Sequence, residues 1–241
     1  MISARVDTAP PVDTDLPDAV LWDMDGTLVD TERYWMAAEG ALVERFGGTW
    51  THEQALTLVG QGLETSAGIL QEAGVRMPAR EIVDHLTAEV MTALAEQGPP
   101  LRPGALELLT ALRERGVRCA LVTMSLRRMA ELVVAGLPDD AFELIVSGDD
   151  ATRPKPHPDA YLQACAALGI EPARAVAIED SPTGVRAAVA AGVPTVGVPL
   201  MVSLEGVGAH ELWPTLDDRT PADIAAVSSA HAARAARKGH A

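Results

Sequence analysis

Short apolar runs followed by polar residues recur along the chain at 19–22, 117–122, 144–146, 175–178 and 193–198. Runs this short, rich in Val, Ile, Leu and Ala and lacking strict alternation, read as strands buried on both faces. Parallel neighbours of that kind need crossover connections, and the stretches between the runs supply helices. One helix from Pro103 turns Leu106, Leu109 and Leu112 inward and stops at Gly116. The next, capped by Ser125, presents Leu126, Met129, Leu132 and Val133 on one face. Further helices span 159–168 and run from Ser181-Pro182 to near Gly192, and Val193 to Val198 reads as the last strand. The predicted fold is α/β, a doubly wound parallel sheet.

One block interrupts this order. Residues 31–98 carry Ala, Leu, Glu and Met at helical spacing, broken at Gly47-Gly48, at Gly60-Gln61-Gly62 and at Gly74, with no strand signal. The block is expected to form an inserted helical cap domain between 19–30 and 99–220, which together form the core domain. Residues 1–18 read as a mobile tail and 221–241 as an Ala-rich terminal helix or tail.

Composition narrows the class. A net charge of −15 without a basic run before the last few residues argues against nucleic acid. No apolar stretch reaches the roughly 18 residues of a membrane span, so no membrane is expected. The first residues hold Pro and Asp without the apolar centre of a secretory signal, and a cytoplasmic location follows as the expectation. Cys119 and Cys165 read as small buried hydrophobes, not a disulfide framework.

In open parallel sheets ligands gather outside the carboxyl ends of the strands. Asp23 and Asp25 follow the first run, and their i, i+2 spacing points both side chains to one side while Met24 points away. Two carboxylates that close either bind a cation or separate their pKa values. Asp23 can then attack phosphorus while Asp25 exchanges protons with leaving group and water. Alone, Asp-x-Asp is equally a capping or solvated loop. Three other loops add to it. Glu179 and Asp180 offer hard oxygen ligands suited to Mg²⁺, Thr123 a hydroxyl, and Met124 a backbone N–H for a phosphate. Lys155, one of only two lysines in the chain, stands in Arg-Pro-Lys-Pro-His-Pro and supplies a compact cation.

In order, Asp23-Met24-Asp25-Gly26-Thr27-Leu28-Val29-Asp30, Leu121-Val122-Thr123, Pro154-Lys155-Pro156 and Ile178-Glu179-Asp180-Ser181 resemble the four motifs of the haloacid-dehalogenase-like superfamily. With its helical insertion the chain is similar to the phosphoglycolate phosphatase and β-phosphoglucomutase branch. The resemblance implies a Mg²⁺-dependent phosphatase acting through an aspartyl-phosphate. It implies Asp23 as nucleophile, Asp25 as acid and base, and Thr123, Met124 and Lys155 as phosphate binders. It also implies Asp23, Asp25 through its backbone carbonyl, Glu179 and Asp180 around the metal. The expected partner is a small phosphorylated metabolite, either a sugar phosphate or a phosphoglycolate-like compound, and both a monomer and a homodimer fit. Where the mutase branch carries an arginine in its cap loop this chain has Leu63, and where it often carries a histidine this chain has Trp35. A phosphatase is therefore favoured over a mutase. A phospho-acceptor signalling module, or a silent binding domain on the same fold, is the reading from another class. Trp35, Glu39, Gln61, Leu63 and Glu64 are candidates to meet the leaving group.

Overall fold

The computed structural model describes residues 16–238. The chain begins with strand β1 (Ala19–Trp22) and continues through helices α1 (Glu32–Arg45), α2 (His52–Leu56), α3 (Leu63–Glu72) and α4 (Ala79–Gln97). It then alternates through α5 (Ala105–Glu114), β2 (Arg118–Val122), α6 (Arg127–Val134), β3 (Leu144–Val146) and α7 (Asp159–Leu168). It ends with β4 (Ala175–Glu179), α8 (Pro182–Ala190), β5 (Thr195–Gly197), β6 (Glu211–Leu212) and α9 (Pro221–Lys238). The strands form one parallel sheet in the order β3-β2-β1-β4-β5-β6. The order runs outward in both directions from β1, so the crevice where connections diverge lies beside β1 and β4.

The two faces of the sheet differ. Val20, Trp22, Cys119, Leu121, Val176 and Ile178 face the larger core, which includes Leu108, Leu109 and Leu112 of α5 and continues into the helical segment through Leu42, Leu70 and Ile82. The alternate residues, Ala19, Leu21, Ala120, Val122, Ala175 and Ala177, face Ala160, Ala164, Ala187 and Ala188 of α7 and α8. Small residues on both sides let these helices approach the sheet closely. They also bring the polar ends of α7 and α8 near the strand termini.

Entry to and exit from the helical segment run side by side. Asp30 N–H donates to Pro100 O at 2.8 Å, Arg102 N–H donates to Leu28 O at 3.0 Å, and Val29 and Leu101 form an antiparallel bridge.

Some details depart from the sequence reading. Leu108, not Leu106, joins Leu109 and Leu112 in the core, because α5 starts at Ala105 and its i, i+3, i+4, i+7 stripe falls there. Ser125 does not cap α6: Leu126 occupies the N-cap, and the first N–H of the helix, that of Arg127, donates to Asp149 Oδ2 at 2.6 Å. The sheet gains β6 after the strand read as last, since two residues carry no periodicity. Of the N-terminal tail, residues 1–15 lie outside the described part, whereas Leu16 is buried and Asp18 pairs with Arg174 at 2.6 Å. From the last block, α9 buries Ile224 and Val227 in the larger core. Among the described residues no helix is long and apolar enough to cross a membrane.

Candidate active site

The site is assembled where β1, β2 and β4 end. Asp23 N–H donates to Ile178 O at 3.0 Å, which extends the β1–β4 ladder one residue and fixes the Asp23 side chain at the sheet's edge. The chain then turns at Gly26, whose φ of +81° only glycine adopts readily. A Cβ there would lie 2.1 Å from Asp180 Oδ2, so the residue also allows the first and fourth loops to meet. Gly184 does the same for Glu179: a Cβ on this residue of α8 would fall 2.0 Å from its carboxylate.

Lys155 joins two of the acids. Its Nζ donates to Asp23 Oδ1 at 2.7 Å, to Glu179 Oε1 at 2.6 Å and to Val122 O at 3.0 Å. Glu179 is held further by the Tyr161 hydroxyl at 2.6 Å and the Ser181 hydroxyl at 3.3 Å. Burial pulls the Lys155 ammonium down, but the Asp23 and Glu179 carboxylates outweigh it and hold the group above its ordinary range. Burial and then the charge of Glu179 push Asp23 up to about 7. Asp180 is driven well above the usual carboxylate range by burial and by Asp23 and Glu179.

Asp23, Glu179 and Asp180 present carboxylate oxygens within 4.8 Å of one another. Asp180 Oδ2 is buried with no hydrogen-bond partner, although Thr27 Oγ1 donates to Oδ1 at 3.4 Å. Three buried carboxylates against one lysine, all hard oxygen donors and one of them orphaned, fit a small divalent cation such as Mg²⁺. Asp25 is not in this cluster, because its carboxylate is occupied. Oδ1 accepts from Thr31 Oγ1 at 2.5 Å and Trp35 Nε1 at 3.0 Å, and Oδ2 from Ser125 Oγ at 2.7 Å and Thr123 Oγ1 at 3.4 Å. Met24 points into the core instead.

The cleft over these groups is lined on one side by Thr123, Met124 and Ser125 and on the other by the helical segment. Met124 Sδ also accepts the Lys155 backbone N–H at 3.3 Å. Of the residues proposed to face a leaving group, Glu39, Gln61 and Leu63 line the cleft. Trp35 lines it too but spends its N–H on Asp25. Glu64 is exposed and lines a separate groove with Arg80 and Thr152. The loop at Gly60 is held against the core by the Thr183 hydroxyl, which donates to Gly60 O.

Sequence reasoning missed several participants. Glu32, which lines the cleft, stands two residues past the first motif and could have been found there. Ser125 was seen, but as a cap. Tyr161 and Arg102 gave no local signal. Arg102 Nη1 donates to Gly26 O at 2.6 Å and Val198 O at 2.8 Å, bracing the first loop from a distant part of the chain.

Glu39 gives a pH test independent of the metal cluster. Burial pushes its carboxyl up to about 7 from 4.5, opposed only by the Trp50 indole N–H. The folded protein thus keeps a proton that the unfolded chain releases between pH 4.5 and 7, and stability falls across that window. Glu39→Gln lacks this loss, so its stability relative to wild type should rise from pH 5 to pH 8 by up to roughly 3 kcal/mol. Denaturant titrations at the two pH values check this, and an unchanged difference would refute it.

A family model described as haloacid dehalogenase-like hydrolase matches residues 17–192. Validoxylamine A 7'-phosphate phosphatase of Streptomyces hygroscopicus subsp. limoneus is 32% identical over 74% of this chain and 84% of its own length. Hexitol phosphatase B of Escherichia coli (strain K12) is 30% identical over 75% and 83%. The solved structure of CbbY from Rhodobacter sphaeroides in complex with phosphate is 29% identical, covers 87% of this chain and 99% of that one, and superposes with a TM-score of 0.78.

Proposed function

The chain belongs to the haloacid dehalogenase-like hydrolase family and is a phosphohydrolase, and from that premise we propose that it hydrolyses a small sugar or polyol phosphomonoester with Mg²⁺ through an aspartyl-phosphate on Asp23. The observation that carries this reading is the state of Asp23. Lys155 engages Oδ1 only, and Oδ2, at the cleft, has no partner among the described residues. A carboxylate tethered by one oxygen and open at the other is oriented as a nucleophile.

Asp23 attacks phosphorus as the bond to the leaving alkoxide breaks, and Asp25 donates the proton that alkoxide needs. Asp25 then takes a proton from water, which attacks the same phosphorus and frees Asp23. The hydroxyls of Thr123 and Ser125 and the indole of Trp35 keep Asp25 oriented through both steps. The backbone at Met124 receives phosphoryl oxygens, and Lys155, its three N–H groups spent on Asp23, Glu179 and Val122 O, sets its positive charge beside them. Mg²⁺, held by Asp23, Asp180, the Asp25 carbonyl and, less directly, Glu179, would offset the charge of the phosphoryl group. We read residues 31–98 as the cap that closes over the leaving group.

Hydrolysis is preferred to phosphomutase chemistry because Leu63 stands in the cleft and Lys155 is its only described cation, leaving no group for a second phosphate. With Mg²⁺, a panel of hexose and hexitol phosphates should yield free phosphate. β-Glucose 1-phosphate with a bisphosphate primer should give little glucose 6-phosphate. EDTA should abolish release and added Mg²⁺ restore it. Stoichiometric isomerisation, or full activity in EDTA, would refute the assignment.

A further inference from the structure

The helical wall of the cleft carries two acids that the proposed chemistry does not use. Glu32 is 7% exposed, lines the cleft, and has no hydrogen-bond or ion-pair partner among the described residues. Glu39 is 5% exposed, lines the same cleft, and receives one long bond, from Trp50 Nε1 at 3.4 Å. They stand seven residues apart on α1, two turns along one face. Around them the wall is apolar, with Met36, Leu58, Val59, Leu63 and Leu86. Buried carboxylates are costly unless paired, and nothing in the described protein pairs this couple.

Charge in the whole cleft runs the same way. Asp23, Asp25, Glu32, Glu39 and Asp180 line it against Lys155 alone, and Lys155 is committed to Asp23 and Glu179. A divalent cation and a phosphate dianion would balance each other and leave Glu32 and Glu39 without a counter-charge. A leaving group with a carboxylate or second phosphate would be repelled. Burial holds the Glu32 carboxyl up at about 8 and that of Glu39 at about 7, so a neutral polyol could hydrogen-bond either acid with its proton on, whereas only a cation can balance them as carboxylates. A protonated amine does both.

Resting on the phosphohydrolase reading above, we infer that Glu32 and Glu39 form a cation subsite and that the preferred substrate is an amine-bearing phosphomonoester, an amino-sugar or amino-alcohol phosphate. The test compares kcat/KM of the Mg²⁺-loaded full chain on amine and hydroxyl isosteres: glucosamine 6-phosphate against glucose 6-phosphate, and 2-aminoethyl against 2-hydroxyethyl phosphate. At least one amine should be favoured about tenfold or more, N-acetylation should remove the preference, and Glu32→Gln and Glu39→Gln should each shrink the ratio. Titration of the amine substrate into catalytically silent Asp23→Asn should show the same order of affinity. Equal or better use of every hydroxyl isostere, with p-nitrophenyl phosphate still hydrolysed, would overturn the cation subsite and leave the phosphatase standing. So would a Glu32→Gln variant that weakens Mg²⁺ binding for all substrates at an unchanged amine ratio. Failure to release phosphate even from p-nitrophenyl phosphate would remove the underlying reading and the subsite with it.

Discussion

Asp23→Asn is expected to slow phosphate release by roughly a thousandfold or more, while its unfolding midpoint stays level or rises. The two effects have one origin. Burial and the neighbouring Glu179 hold the Asp23 carboxyl up at about 7, so the ionised nucleophile is held at a cost in stability. Asparagine keeps an oxygen for the Lys155 ammonium, sheds the charge and cannot attack phosphorus. Single-turnover release from p-nitrophenyl phosphate, paired with urea denaturation at pH 8 without metal, measures both. Near wild-type turnover would remove Asp23 as nucleophile, and a large loss of stability would contradict the electrostatic account.

Lys155→Met should do the reverse to stability. Lys155 is 3% exposed and bridges two carboxylates. Methionine fills a similar volume and leaves both acids without their counter-charge. Removing one partner from a buried ion pair costs about 3–5 kcal/mol, and turnover should fall with it. The pH dependence has a definite sign. Without Lys155 the upward shift of Asp23 is unopposed, so the folded state holds its proton over a wider range than the unfolded chain, whose carboxyl titrates near 3.8. The deficit against wild type should therefore widen as pH rises from 5 to 8. A deficit that is small, or that narrows with pH, would show that Lys155 is not the ion pair's keystone.

How much of this was readable from the residues depends on distance along the chain. Asp23, Thr123, Glu179 and Asp180 were legible because each stands where a short apolar run stops, and strand ends of a parallel sheet converge. Lys155 was legible through its rarity. What Asp25 does with its oxygens was not: Thr31 and Trp35 from the start of α1 and Thr123 and Ser125 from the loop after β2 meet on it. Trp35 and Ser125 were accordingly read as a leaving-group contact and a helix cap. Tyr161 sits in the first turn of α7, where a buried aromatic residue signals only core, and its bond to Glu179 exists because the Ala-rich face draws α7 onto the sheet. Leu106 and Leu108 differ by less than one turn, a phase that hangs on where α5 begins.

The antiparallel bridge between Val29 and Leu101 has an evolutionary and engineering corollary. Because Asp30 and Pro100 are already bonded at 2.8 Å, everything between them is a closed excursion from the catalytic layer. Lengthening such an excursion is thermodynamically inexpensive, about 0.6 kcal/mol per doubling of a flexible loop. A chimera that joins another relative's helices at Asp30 and Pro100 takes away Thr31 and Trp35, so it carries a different roof over the same nucleophile only where the incoming segment again supplies donors to the Asp25 carboxylate.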